Sequence, residues 1–342
     1  MLRLSPIIFV LLGFGALAAR AQVQPAETPS PPAAEAPAAT TEEPEAAAEA
    51  PAPPAFEPQP ITNWLEAQVE LSRRGFSCGS IDGVRGSQTA AALKAWQRDE
   101  GLQTTGDLDR ATKEVFRLTA PALTEYALTA VDLASVRPVP TTWLGKSELD
   151  ALRHGTVLEL VAERFRANPK LIAKLNPSVD WDGILPGQVL TVPAAEPVIP
   201  PFKVARIHIY LAEKILQAVD ESGRVLLHCP VSIARNVEKR PVGELHVVVV
   251  VPDPNYTFDP EVFPEVPEAA EIGRKLIIAP GPNNPVGAAW IGLDRPGYGI
   301  HGTPDPEKVG RTESHGCFRL ANWDARTLLR LAWVGMPVMV DE

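Results

Sequence analysis

The sequence predicts a multidomain chain: a mainly-β domain with one main helix, preceded by a small three-helix domain and an α+β module. Three observations lead there. At 342 residues, 45% of them hydrophobic, the chain has room for two or three modest domains that each bury a core. Its 36 prolines are too many for one compact domain, and the early segments explain part of that excess. After the proline-rich joint "AAEPVIPPF", helical periodicity gives way to β-branched runs.

Residues 1–21, "MLRLSPIIFVLLGFGALAARA", have Arg3 in a short basic start, an apolar run from Ile7 to Ala18, and a small-residue end at Ala19-Arg20-Ala21. This reads as a cleaved signal peptide, with an uncleaved anchor as the alternative. The expected location is therefore exported. No cysteine follows the segment, which argues against lipid anchoring, and no later stretch is apolar enough to span a membrane. Residues 22–59 are nearly all Ala, Pro, Glu and Thr, with seven acidic residues and no Lys or Arg. Such a stretch cannot bury enough apolar surface to offset its ordering entropy, so a disordered, solvated linker is expected. The chain's net charge of −10 becomes −12 without Arg3 and Arg20, and about −5 once the linker's −7 is set aside. That balance gives no support to nucleic-acid binding. Three cysteines, Cys78, Cys229 and Cys317, are too few and too odd for a disulfide scaffold; Cys78 and Cys229 could pair, leaving one thiol over.

Residues 60–118 read as three helices. The first runs from Trp64 to Arg74 with Asn63 as cap and Gly75 beyond its end. "SIDGVRGSQT" is a turn; Ser87 then caps a second helix with Thr89, Ala92, Leu93 and Trp96 on one face, and a third spans about Asp109 to Arg117. The pattern Gln68, Leu71, Gly75, Ile81-Asp82-Gly83, Gly86, Thr89, Ala92-Leu93, Trp96-Gln97, Gly101-Leu102, Gly106 and Thr112 resembles the peptidoglycan-binding domain of bacterial wall enzymes. Most of these are core and turn positions, so they identify the fold better than a ligand contact.

Residues 123–194 hold two short helices, the second opened by Asn168-Pro169, and a closing strand from Val189 to Val192. "ERFRANPKLIAKLNP" and "ILPGQVLTVP" resemble a LysM carbohydrate-binding module, with "TEYALTA" supplying a first strand displaced by a long insertion. A structural spacer of the same shape is the alternative.

Residues 203–341 carry strand-like runs at Ile207–Tyr210, Arg224–Cys229 and Leu245–Val251, a hairpin turn at "DESGR", and a proline-punctuated irregular excursion over 252–287. Two more β-like pieces follow around Ala289–Ile291 and Gly299–Ile300. A helix follows Asn322, with Asp324 in its first turn; Gly335 ends it, and Pro337–Val340 makes a last strand.

"HGTPDPEKVGRTESHGCFRLAN", His301–Asn322, concentrates the chemistry. Nucleophilic cysteine catalysis needs a thiol, a nearby base and oxyanion donors. Cys317 is the thiol, and His301 can reach it if two strands bring them together. The Gly316 and Cys317 amides can point at a developing oxyanion, and Gly316 and Gly302 keep the backbone bare. A zinc site from His301, His315 and Cys317 lacks the usual paired-ligand spacings. Cys229, His208 and His228 sit in strands and read as packed or structural.

His301-Gly302-Thr303 and Ser314-His315-Gly316-Cys317, then Arg319 and Asn322, resemble the signature of the L,D-transpeptidase catalytic (YkuD-type) domain, with "PVSIARNVEKRPVGELHV", "APGPNNPVG" and "GYGIHGTP" in the expected order. The resemblance implies a β-sandwich with one main helix. It makes Cys317 the nucleophile, His301 the base and acid, the Gly302 carbonyl the partner that orients His301, and His315 and Gly316 supporting groups. Arg319, Tyr298, Ser314 and Asn322 are implied as substrate-binding residues; for His315, Arg319 and Ser314, a buried histidine, an ion-pair partner and a turn residue are the plainer roles. Arg240-Pro241-Val242-Gly243 replaces the family's Thr-Pro-x-Gly and loses its hydroxyl. The implied partners are peptidoglycan stem peptides and glycan in the periplasm or cell wall, with no cofactor and no metal. The acceptor, the oligomeric state and whether the accessory modules bind glycan stay open.

Overall fold

The computed structural model describes residues 56–198, 203–311 and 316–342. The expected signal peptide, nearly all of the linker, and Ser314 and His315 lie outside the described residues. No helix among the described residues is long and apolar enough to cross a membrane.

In the first module, strand β1 (Gln59–Pro60) pairs antiparallel with β2 (Arg117–Leu118) around helices α1 (Trp64–Arg73), α2 (Ser87–Asp99) and α3 (Arg110–Val115). The last residue assigned to the linker, Gln59, is thus ladder-paired with Leu118. Asn63 caps α1 by accepting from the Glu66 amide, but α2 is preceded by Gly86, which makes no side-chain cap bond; Ser87 is already helical. The third helix stops at Val115 because Phe116 turns to an extended ψ of 97° and Arg117 joins β2. Two buried glutamines hold the turns. Gln68 accepts from the Asp82 and Gly83 amides and donates to Thr89 Oγ1, while Gln97 accepts from Gly106 N and donates to Thr112 Oγ1. These motif positions satisfy buried backbone groups that would otherwise be left unpaired.

The second module is bracketed by β3 (Leu123–Ala127) and β4 (Val189–Pro193), which pair antiparallel. Between them lie α4 (Ala130–Ser135), α5 (Trp143–Ser147), α6 (Val157–Arg164), capped by Thr156, and α7 (Pro169–Leu175), capped by Asn168. It shares one apolar core with the first module, joining Leu71, Leu93 and Trp96 to Val161, Ile172 and Leu190.

The third module contains β5 (Arg206–Tyr210), β6 (Ile215–Val219), β7 (Val225–Pro230), β8 (Gly243–Pro252), β9 (Tyr256–Phe258), α8 (Ala269–Ile272), β10 (Leu276–Ile278), β11 (Ala289–Leu293), β12 (Gly299–His301), β13 (Phe318–Arg319), α9 (Asn322–Leu331) and β14 (Pro337–Asp341). β6 escapes the sequence pattern because the turn before it has no glycine or proline; Lys214 supplies the positive φ of 54°. Eight strands hydrogen-bond in the order β13-β12-β11-β8-β14-β5-β6-β7. The implied sandwich is therefore one continuous sheet in two halves joined by β8. Its residues Val247 to Pro252 pair with β11, while Gly243 to His246 pair with β14. A register shift at Gly292/Leu293 lies beside this change of partner, where strands that turn a corner commonly carry a bulge. Ala325 and Leu328 of α9 close the core against Val247, Ile291 and Phe318. α9 ends at Leu331 with Ala332 as its C-cap, and Gly335 lies three residues beyond the cap, at φ 93°.

The three modules meet at one buried carboxylate. Ser77 of the first donates to Asp324 Oδ2 at 2.9 Å, and Arg166 of the second stands 3.7 Å from Asp324 Oδ1 on α9. Burial pushes Asp324 up to about 6 against the pull of Arg166 and Ser77, and lowers Arg166. A further small core forms across modules. Leu152, from the insertion between β3 and α6, packs with Phe258, Leu276 and Ile278, and Trp143 stacks on Phe258 at 4.1 Å. The excursion over 252–287 is therefore ordered by β9, β10 and α8 because a second module covers it.

Candidate active site

β12 and β13 are parallel neighbours with His301 opposite Arg319 and Ile300 opposite Phe318. Side chains alternate along a strand, so Cys317, immediately before β13, is on the same face as Arg319 and hence as His301. All three line one cavity of about 690 Å³ together with Trp290, Gly316 and Gly297. Its far wall comes from the cross-module core: Tyr256, Phe263, Val266 and Trp143.

His301 is 4% exposed and its ring stacks on Trp290 at 5.6 Å. Its Nδ1 lies 2.6 Å from the Gly302 carbonyl. A carbonyl only accepts, so Nδ1 carries the hydrogen and, in the neutral ring, Nε2 holds the free lone pair. Burial lowers this imidazole to about 4, assisted by the Arg319 charge and opposed by the Gly302 and Val286 carbonyls. Burial also raises the Cys317 thiol, against the Gly299 backbone and Arg319. The thiol donates to the Gly297 carbonyl at 3.4 Å. Both groups are thus neutral at rest.

Arg319 lines the cavity and makes no ion pair among the described residues; its Nε is buried without a hydrogen-bond partner. Its backbone exchanges hydrogen bonds with Ser232, which fixes β13. An unpaired guanidinium facing a cavity suits an anionic ligand. Tyr298 flanks Gly316 under the Arg295 guanidinium, 4.7 Å from its ring centroid, and is not part of the cavity wall.

Asn322 requires a correction. It is fully buried, its Oδ1 accepts from the Ala288 and Thr303 amides at 3.0 and 3.1 Å, and its Nδ2 donates to Glu163 Oε2 and the Pro282 carbonyl at 3.0 Å. With four bonds made, it has no group left for a substrate. It also explains Gly302: a Cβ there would sit 2.2 Å from Asn322 Oδ1. The other polar candidates are structural. His228 is buried against Gln217 and lowered to about 3 by burial, and Cys78 and Cys229 are buried thiols outside any disulfide. Sequence reasoning missed the residues that shape the far wall, Trp143 and Tyr256, and the Glu163 carboxylate behind Asn322. None of them belongs to the motif, and only an aromatic in each of two distant segments hinted at the wall.

Comparison with known proteins bears on this geometry. Residues 205–340 match the model of the L,D-transpeptidase catalytic domain, and residues 62–116 match that of a peptidoglycan binding domain. Two relatives carry provisional names as L,D-transpeptidases. YkuD of Bacillus subtilis (strain 168) is 25% identical over 192 residues, 56% of this chain and 97% of that one. YbiS of Escherichia coli (strain K12) is 27% identical over 212 residues, 60% and 68%. A solved L,D-transpeptidase from Mycobacterium smegmatis is 18% identical over 46% of this chain and 64% of that chain, at a TM-score of 0.32.

Proposed function

We propose that the chain is an exported, cysteine-dependent L,D-transpeptidase of the periplasm or cell wall, acting on peptidoglycan tetrapeptide stems. The observation that carries this reading is one cavity holding Cys317 and a neutral His301 whose Nδ1–H is committed to Gly302. In the proposed reaction, His301 Nε2 takes the thiol proton as Cys317 sulfur attacks the carbonyl carbon of the stem's third residue. The Gly316 and Cys317 amides stabilise the tetrahedral oxyanion. Collapse breaks the peptide bond, and the departing D-alanine amine takes the proton from Nε2, leaving a thioester on Cys317. An acceptor amine from a second stem then attacks the thioester, loses its proton to Nε2, and releases the thiol. Arg319 pairs with the donor's terminal carboxylate. The cleaved peptide bond supplies the acyl group, so no cofactor enters. Water or a lipoprotein lysine as acceptor uses the same residues.

The first module is proposed to hold the enzyme on peptidoglycan, and the second to be a LysM-like module. Two of its four helices, α6 and α7, followed by a strand that pairs back with β3, support that likeness. The test is incubation of purified protein with tetrapeptide muropeptides and mass spectrometry of the products. Released D-alanine with cross-linked dimers is expected, with tripeptide alone marking water as acceptor. Identical products from wild type and Cys317→Ala would sink the catalytic reading and leave a non-catalytic wall-binding protein.

A further inference from the structure

We infer that Glu163, on α6 of the second module, is a positioning residue for His301 and acts through Asn322. The inference rests on the reading of His301 as the base. Three contacts connect the two. Asn322 Nδ2 donates to Glu163 Oε2 at 3.0 Å, Asn322 Oδ1 accepts from the Thr303 amide at 3.1 Å, and the Gly302 carbonyl accepts from His301 Nδ1 at 2.6 Å. The Thr303 N–H and the Gly302 C=O belong to a single peptide unit. That unit is planar, so fixing the direction of its N–H fixes the direction of its carbonyl. The carbonyl in turn selects the imidazole tautomer that leaves Nε2 free for the thiol proton.

Glu163 matters because the two ends of an amide are nearly the same shape. Asn322 could fit its pocket either way round, but the flipped amide would set NH₂ against two backbone donors and oxygen against a carboxylate. Glu163 and the Pro282 carbonyl accept only, and the bond to the carboxylate is the stronger because it is charge-assisted. The fit leaves no slack. A Cβ at Gly287 or Gly302 would come within 2.1 or 2.2 Å of Asn322 Oδ1. Glu163 is itself held: its side chain is 14% exposed, and His154 Nε2 stands 3.5 Å from its other oxygen. Residue 163 lies outside the 205–340 match, so the orientation of the base depends on a group that the catalytic domain does not contain.

The test compares wild type, Glu163→Ala and Glu163→Gln in the full chain. It uses kcat and KM on tetrapeptide muropeptides, melting temperature, and ¹⁵N NMR of the imidazoles with His301→Gln to assign the signal. Glu163→Ala is expected to lower kcat about 10- to 100-fold with KM within about three-fold, the pattern of a misplaced base. Its His301 signal is expected to show a mixture of tautomers. Glu163→Gln keeps an oxygen acceptor and is expected to recover both readouts. A Glu163→Ala protein with wild-type kcat and the wild-type Nδ1–H tautomer overturns the inference. So does equal loss in both variants that tracks a fall in melting temperature with the tautomer unchanged. If Glu163→Ala does not fold, Glu163→Asp, one methylene short of Asn322, carries the same expectations. A wild type that turns over no muropeptide defeats the functional reading, while the tautomer measurement still decides this one.

Discussion

Burial acts on the two groups proposed to react in opposite directions, raising the Cys317 thiol and lowering the His301 imidazole to about 4, so the proposed reaction starts from a thiol and a neutral imidazole. In the proposed reaction the proton therefore moves as the sulfur attacks. With the base protonated only below about pH 4, the acid limb of kcat/KM on muropeptides is expected near that value and not near about 6.5, where an ordinary imidazole titrates. An inflection near the ordinary value would show that His301 is not the controlling group. His301→Gln is expected to lower the same constant by about 10²- to 10⁴-fold, and Cys317→Ala to remove acyl-enzyme from the mass spectrum altogether. The sequence made this pair legible because a thiol and a histidine, each beside a bare glycine, need only one strand pairing to meet. It misplaced Asn322 for a physical reason. The four bonds that occupy it come from residues 163, 282, 288 and 303, and nothing in a local motif announces partners so far away in the chain.

At the scale of elements, the insertion between β3 and α6 decides what the cavity can admit. Gly281, at φ +140°, lies so close to Leu152 that an added Cβ would be 2.2 Å from its carbonyl oxygen. Leu152 N also donates to the Pro280 carbonyl, and Asn283 N donates back to Leu152 O. Gly281→Ala is therefore expected to push the insertion away, loosening Trp143 from Phe258. The readouts are a raised KM for muropeptides and faster amide exchange over residues 143–152, with β5 to β7 unchanged. Unaltered exchange there would mean that the two segments are not coupled. The closing strand of this module could be read from Val189, Thr191 and Val192, whereas its partner came only from the resemblance to a LysM module. The far wall could not, because Trp143 of α5 packs on Tyr256 and Phe258, which lie far along the chain in the 252–287 excursion.

Across the whole molecule, Asp324 ties together three segments that local periodicity treats as separate domains. At about pH 7.5 its carboxylate is mostly ionised, and Asp324→Asn would leave the buried Arg166 cation with only the exposed Glu196 carboxylate, 3.7 Å away, at a cost of about 3 kcal/mol. Urea unfolding followed by tryptophan fluorescence should register that loss across all three modules at once; a loss confined to one would show that they unfold independently. The pH dependence has opposing parts. Asp324 titrates higher in the fold than its ordinary 3.8, so its contribution grows as pH falls through about 6. His228 and His301 titrate lower than their ordinary 6.5, so theirs is lost as pH falls below that value. Glu307, raised by burial, acts with Asp324, but the two histidines carry the larger shifts, so stability is expected to decline in mild acid. A final consequence lies in the position of β14, which begins at Pro337 yet sits between β8, which ends at Pro252, and β5, which ends at Tyr210. A chain emerging from the ribosome completes β5 and β8 long before the strand that joins them exists. Until it arrives, their edges are open to wrong partners, and His301 and Cys317 have no finished sheet to hold them face to face. Synthesis itself thus delays the site: a nascent or truncated chain lacking β14 carries the thiol and the histidine but not the finished sheet that brings them into one cavity.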